Sequence, residues 1–507
     1  MSLLALMLGL AAFVLVLRLL QAKQVATRII ATSQGAMLVM ADPALPEREK
    51  ETRVRRASLA LFRHFLAITG IGAIAVGATV LIVWGGARLG LYALSDAMAL
   101  GLGWPFLVGS TVAAILLWLG LDRAGIAGGQ SAAERGDGGS SKATDEVPYS
   151  PLDKALHVYA FASPERQKKL GQFENRVFRR RIERTRAERP VFVTSLPRAG
   201  TTIMLNMLAG VPEFASATYR HMPFTLSPLL WGRYSAAFRK SGEASERAHG
   251  DGLKVSLDSP EAFEEMLWMA FWPDHYRDDR ILPWTADMRA PEFEAFFHAH
   301  MAKIVSASPG AARYVSKNNA NIARLSLIEA IFPDAAIVIP VRDPVAQVAS
   351  LLRQHARFAD LHGREPFARQ YMQGVGHFEF GEALRPIAFE GAPLDPAAAQ
   401  AADFWLRYWI AAYEHVLSQA GRAAIFVDHD ALCADPGAHL PALAEAIRSD
   451  APGAIVESAG LFRPSATPPA LPGADPSLVA RARTIHAALC GDARALRPLP
   501  QPRSALA

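Results

Sequence analysis

A chain of 507 residues has room for more than one folding unit and a large core. Apolar residues make up 51% and charged ones only 20%, a balance that points to membrane segments. The net charge of +5 lies near the start: Arg18 carries one unit, Gln21 to His64 holds eight Lys/Arg against four Asp/Glu, and the rest balances. No basic face on a folded domain is implied, so nucleic acid is excluded as a partner.

Residues 1 to 17 carry no charged side chain, and Leu3 to Leu20 reads as a span interrupted by Arg18. The basic residues follow this run, whereas a cleaved signal peptide has them before it, so a retained anchor is expected. Lys23 to Met40 reads as an amphipathic helix on the membrane surface, and Glu47 to Arg56 as a charged, solvated stretch. A stronger span follows at about Phe65 to Trp84, and a third at about Trp104 to Leu121, with Trp104 and Trp118 placed like interfacial anchors. Only Arg88 is basic in the loop between these two. The positive-inside rule therefore puts the Gln21 to His64 loop and everything after Leu121 on the cytoplasmic side. The expected organisation is an all-α membrane region over residues 1–123 with about three crossings, a Gly/Ser/Ala-rich tether over 124–150, and a cytoplasmic domain over 151–507. Two cysteines, Cys433 and Cys490, are too few for a disulfide framework or a zinc site, and no Asn-x-Ser/Thr sequon occurs. Both absences favour a reducing setting for the soluble part.

Ser163-Pro-Glu-Arg predicts a capped helix start, with the helix running through Phe173 and Val177 to Ile182. Val191 to Val193 is a short apolar run of the kind that forms a buried parallel strand. It breaks at Ser195-Leu-Pro-Arg-Ala-Gly200, and a helical pattern resumes at Thr201. Strand, polar loop and helix N-terminus together make an anion cradle, where free N–H groups and the helix dipole converge. Compared with the phosphate loop G-x-x-x-x-G-K-[ST], Ser195 replaces the first Gly and Thr201 the Lys, and the cation sits earlier as Arg198. This is a phosphate loop not built for a nucleoside triphosphate with magnesium.

Helix and strand patterns then alternate, as in an α/β fold with a parallel sheet flanked by crossover helices. Ser259-Pro-Glu predicts a helix start that continues through Glu264, Glu265 and Trp268. Ile322 to Glu329 predicts a helix, Ala335 to Val341 a strand, Pro344 to His355 a helix opened by Pro, and Ala423 to Val427 a further strand before a helix near Leu440 to Ile447. Arg342 closes the Ala335 strand, and Ser350 lies two helical turns on, on the side packing near the strand end. Taken alone, Arg-Asp-Pro after a strand is more often a structural turn. With the first loop it suggests a ligand bearing two separated phosphate groups.

Together these segments resemble the sulfotransferase superfamily, which transfers a sulfonate group from phosphoadenosine phosphosulfate (PAPS). Ser195-Leu-Pro-Arg-Ala-Gly-Thr-Thr202 is similar to its 5′-phosphosulfate loop, with Arg where Lys is commoner, as in the tyrosylprotein and many bacterial branches. Phe332 to Pro344, with Ser350, is similar to its 3′-phosphate motif, and Tyr314 to Arg324 resembles the Lys-containing segment before it. Val427 to Pro436 resembles a late segment usually reading Tyr-Glu-Asp-Leu, but Asp428 and His429 stand where Tyr-Glu is usual. The resemblance covers roughly Arg189 to Ile447. It implies a P-loop-like fold and a donor site made by Arg198, Ala199, Gly200, Thr201, Thr202, Arg342 and Ser350, with Lys317 touching the donor or bridging oxygen. PAP would be the product. No metal is implied, since a sulfuryl group carries less negative charge than a phosphoryl group.

The acceptor hydroxyl or amine needs a general base. Relatives place a Glu or His after the first helix, where this chain has His221 and no carboxylate between Glu213 and Glu243. Glu264 and Glu265 form the second pool, on a helix acidic and aromatic enough to line an acceptor pocket. The expected function is a multi-pass membrane sulfotransferase acting on a small-molecule or lipid-linked acceptor, with a membrane lipid or glycolipid first. The alternative is a membrane-bound nucleotide-binding or kinase-like P-loop protein without sulfonate transfer.

Overall fold

The computed structural model describes residues 1–22, 47–101, 151–238, 259–464 and 471–499, with a few residues between these stretches. The chain divides into two compact units, Met1–Ser140 and Ser141–Ala507. The surface helix expected over Lys23 to Met40 and the third crossing at Trp104 to Leu121 lie mostly outside the described residues, and the tether wholly so.

In the first unit, helix α1 (Ser2–Leu19) packs against helix α2 (Glu47–Arg88). The charged stretch at Glu47 is thus the start of a continuous 42-residue helix. Gly9 lets the two approach closely, since a Cβ there would sit 2.9 Å from Thr79 Cγ2. The Thr79 hydroxyl lies 3.1 Å from both the Gly9 and the Ala75 carbonyl oxygens. Val14, Ile71 and Ala75 fill the seam, while Leu3, Leu8, Leu15, Phe65, Leu66 and Leu81 face outward. α1 and the Arg55–Arg88 part of α2 are each long and apolar enough to cross a membrane. Only 17% and 6% of their most apolar stretches are buried. The core helix of a soluble protein would show the opposite balance.

The second unit is built on a parallel five-stranded sheet: β1 (Val191–Val193), β2 (Phe214–Ala215), β3 (Arg313–Lys317), β4 (Ala336–Val341) and β5 (Ala424–Asp428), in the order β2-β3-β1-β4-β5. Alternation along each strand feeds two cores. Phe192, Tyr314, Ile337 and Ile339 join the larger, with Phe293, Leu327 and Trp409 from the helices Pro291–Ala307, Leu325–Ile331 and Ala402–Gln419. Val191, Val193, Val315 and Val338 join the smaller, with Met204 and Leu205 of helix α3 (Thr201–Ala209) and Leu440 and Leu443 of Pro436–Ala446. From β1 the chain goes first to the β3 side and later to the β4 side. The crevice at the C-terminal end of β1 is therefore the switch point of the sheet, where open α/β sheets bind ligands.

Several elements differ from expectation for local reasons. Ser163 Oγ accepts from Arg166 N at 3.2 Å as expected, but that helix ends at Val177 and a short one follows, Arg179–Arg184. The helix expected from Ile322 is a 3₁₀ turn, Asn319–Ala323, followed by Leu325–Ile331. The helix after β4 runs on to Arg364. The helix expected at Ser259 starts only at Glu265, because Pro260 bridges to Thr218 and Glu261 N donates to Ala217 O at 3.1 Å.

Glu264 and Glu265 are buried in the fold and do not line the pocket described below. Arg324 Nη2 donates to both Glu265 oxygens, at 2.9 and 3.0 Å, while Asn318 Nδ2 and Tyr276 OH donate at 2.7 and 2.5 Å. The Arg324 guanidinium lies 4.2 Å from the centroids of both Trp268 and Trp284. Glu264 accepts from Asn321 at 2.8 Å, from Trp268 at 3.2 Å and from the Ser316 hydroxyl. Burial pushes the Glu264 carboxyl above its ordinary value against these hydrogen bonds. The network fixes the end of β3 and the turn after it. Glu265→Ala would strand the Arg324 charge and should cost about 3–5 kcal/mol in chemical denaturation. Removing Glu292, which is 63% exposed beside Lys168, should cost less than about 1 kcal/mol.

Candidate functional site

The loop after β1 is anchored from behind. Ser195 Oγ lies 2.7 Å from Pro340 O and 2.7 Å from Tyr413 OH. Gln347 Nε2 donates to Leu196 O at 3.1 Å and Pro197 O at 2.9 Å, and its Oε1 accepts from Trp409 Nε1 at 2.8 Å. The loop carbonyls are thus satisfied inside the fold. Arg198 and Gly200 hold φ of 70° and 91°, which bends the chain into α3 with Gly200 as its N-cap. Thr201 is buried and Thr202 half-buried in the first turn. Such a bare helix N-terminus favours an anion.

Arg342, at the end of β4, donates from Nη1 to Arg198 O at 3.0 Å. Arg198 in turn donates from Nε to the Oγ of buried Ser350 at 2.9 Å. The loop after β1 and the segment after β4, separate in the sequence, are joined in the structure through Arg198. Asp343 does form the expected turn, accepting from Ala346 N at 2.9 Å as a helix cap, while its own N–H donates to Asp430 Oδ2 at 2.7 Å. The structural-turn reading of Arg-Asp-Pro is thus met. Lys317 is buried at the end of β3, in register with Val193 beside the loop.

Asn319, just past β3, was not singled out by the sequence. Thr201 Oγ1 donates to its Oδ1 at 3.3 Å, Thr194 Oγ1 to its backbone carbonyl at 3.3 Å, and its Nδ2 donates to Glu379 Oε1 at 3.0 Å. Asn319 and Glu379 line a pocket together with Leu196 and Pro197 of the loop. Gln347 and Glu379 lack a recognisable local pattern: one sits in the first turn of the helix Pro344–Arg364, the other between two phenylalanines.

His221 is buried in the turn after β2, at the same sheet edge but on the strand farthest from β4 on that side. Its Nδ1 accepts from Thr218 N at 3.0 Å, which puts the proton of a neutral ring on Nε2. His221 does not line the pocket. His429, which departs from the family pattern, packs against the loop: a Cβ on Gly200 would come within 2.3 Å of its Cε1. Burial holds the His429 imidazole below its ordinary value. Asp428 caps the helix that follows, accepting from Ala431 N at 2.9 Å.

Residues 190–450, more than half of the chain, match the model of the sulfotransferase family. Among solved structures, the sulfotransferase STF1 from Mycobacterium tuberculosis H37Rv is similar at 16% identity over 67% of this chain and 87% of that one, with a TM-score of 0.37. The sulfotransferase STF9 from Mycobacterium avium is similar at 13% identity over 61% and 76%, with a TM-score of 0.36. The sulfotransferase domain of the Synechococcus PCC 7002 olefin synthase is similar at 15% identity over 59% and 95%, with a TM-score of 0.27. At these scores the overlays carry no weight beside the family match. No curated relative matches.

Gly310 offers a control for Gly200, since it holds φ of 85° and a Cβ added there would meet nothing within 4 Å. Gly310→Ala should cost roughly 1–2 kcal/mol in thermal denaturation, the left-handed backbone strain alone. Gly200→Ala should cost about 1–3 kcal/mol more, the overpacking against His429. Equal losses would show that the loop and His429 part easily.

Proposed function

The chain belongs to the sulfotransferase family, and we propose that it moves a sulfonate group from PAPS to a hydroxyl or amine of a membrane-borne acceptor, a lipid or glycolipid first. The observation that supports this donor is the junction of the two anion-binding units, Arg342 on the Arg198 carbonyl and Arg198 on Ser350. A donor with phosphates at both ends of one nucleoside suits such a pair. PAPS supplies an activated sulfuryl–phosphate bond. In this reading the N–H groups from Ala199 to Thr202, with the dipole of α3, hold the phosphosulfate, and Gly200 lets backbone approach it closely. Arg342 and Ser350 hold the 3′-phosphate. Arg198, Thr201, Thr202 and Lys317 face the charge that builds on the leaving phosphate, where fixed donors are worth most. Side-chain cations and backbone dipoles suffice for this without a metal, given the lower charge of a sulfuryl group.

Two apolar, outward-facing helices support a membrane anchor. The charge excess between Gln21 and His64 favours a cytoplasmic position for that stretch. With a third crossing at Trp104 to Leu121, the catalytic unit is cytoplasmic in a multi-pass protein, on the side where PAPS is made. Anchoring raises the encounter rate with lipid-borne acceptors.

Calorimetry on the detergent-solubilised chain tests the donor. PAP should bind without magnesium and more tightly than ATP with magnesium. Arg198→Ala and Arg342→Ala should each lose about 1.5–3 kcal/mol of PAP binding, the range for hydrogen bonds to charged groups. Preference for ATP with magnesium, or indifference to both substitutions, would contradict the reading.

A further inference from the structure

We infer that Glu379 is the general base of the transfer, and that the pocket it lines takes an acceptor hydroxyl carried on an aliphatic or phenolic body. This rests on the donor reading above and adds the other side of the reaction. Leu196 and Pro197 of the loop belong to the pocket's lining, and so does Asn319, which is hydrogen-bonded to Thr201 at the start of α3. The pocket's walls include Phe378, Leu384, Ile387 and Trp405. Such a lining suits hydrocarbon and offers little to a sugar carrying many hydroxyls.

The polar groups of the lining sort themselves by chemistry. Arg385 stacks on Phe378, with 4.6 Å from guanidinium carbon to ring centroid, and as a cation has no lone pair to accept a proton. Tyr408 OH accepts from Ile387 N at 3.0 Å, and burial pushes the phenol above its ordinary value, so it stays neutral. Glu379 is the carboxylate of the lining. One of its oxygens accepts from Asn319 Nδ2 at 3.0 Å, and Asn319 Oδ1 accepts from Thr201 Oγ1 at 3.3 Å. A single amide side chain therefore links the base to the first hydroxyl of the phosphate-binding helix. It fixes the carboxylate relative to the reacting group and leaves Oε2 to meet the acceptor. His221, by contrast, has Nδ1 engaged at Thr218 and stands outside the pocket.

In the step, Glu379 takes the proton of the acceptor O–H while that oxygen's lone pair forms the new O–S bond. The S–O bond to the 5′-phosphate breaks, and its electron pair leaves with PAP. The proton on Glu379 then passes to solvent through the pocket mouth.

Two probe acceptors with labelled PAPS test this on the full-length protein in detergent. Octan-1-ol needs a base, whereas 4-nitrophenol is largely ionised at mildly alkaline pH and does not. Glu379→Gln should lower kcat for octan-1-ol by about 10²–10⁴-fold, with KM within a few-fold and PAP binding unchanged. Turnover of 4-nitrophenol should fall only a few-fold, and Glu379→Asp should recover part of the octan-1-ol rate. A structural role would lower both acceptors alike, and that result overturns the proposal. So would unchanged octan-1-ol turnover, a selective loss in His221→Ala instead, or a wild-type protein that binds PAP and sulfonates neither probe. Failure of the wild type to bind PAP would overturn the donor reading itself.

Discussion

A loop can present its N–H groups to an anion only if its carbonyl oxygens are turned away and satisfied elsewhere. Gln347 meets that requirement, donating one amide group to the carbonyls of Leu196 and Pro197 while Trp409 holds its other end. Ser195 adds a second tie, between Pro340 and Tyr413. The helix Pro344–Arg364 thus supplies Gln347 to the back of the loop and Ser350 to its front. Loop and helix cannot move independently, which is what a site assembled from two separate strand ends requires.

The other side of the crevice is held by charge. Arg324, between two tryptophans and paired with Glu265, fixes the segment from Asn318 to Ala323. That segment carries Asn319, the residue connecting Thr201 to Glu379. A buried ion pair is seldom a large net source of stability, but it fixes geometry because breaking it strands a charge. Here it fixes the spacing between Thr201, at the end of the loop after β1, and the pocket lined by Glu379. The sheet sets the same limit from below, since Lys317 and Val193 are neighbours in register.

Much of the frame was legible in the sequence. Buried parallel strands are short continuous apolar runs, and β1, β4 and β5 stand out for that reason. Arg198, Arg342 and Ser350 could be named because strand ends and helical turns place them. What could not be read was contact between distant segments. Sequence offers no sign that Arg198 would reach Ser350 across 152 positions, or that Asn319 would meet Glu379. The Glu264 and Glu265 pair looked like pocket chemistry because acid beside aromatic residues has the same pattern whether it faces solvent or a buried arginine. The late helix start at Glu265 has a tertiary cause too, the bridge between Pro260 and Thr218. His429, visible only as a departure from a family pattern, packs against Gly200.

That the two anion-binding units act as one site is most directly tested by a double-mutant cycle on PAP affinity with Arg198→Ala, Ser350→Ala and the double variant. Residues in one hydrogen-bonded network couple by about 0.5–3 kcal/mol, and the account predicts coupling in that range. Losses that simply add, within about 0.5 kcal/mol, would mean that the two units bind independently and would contradict a single donor site.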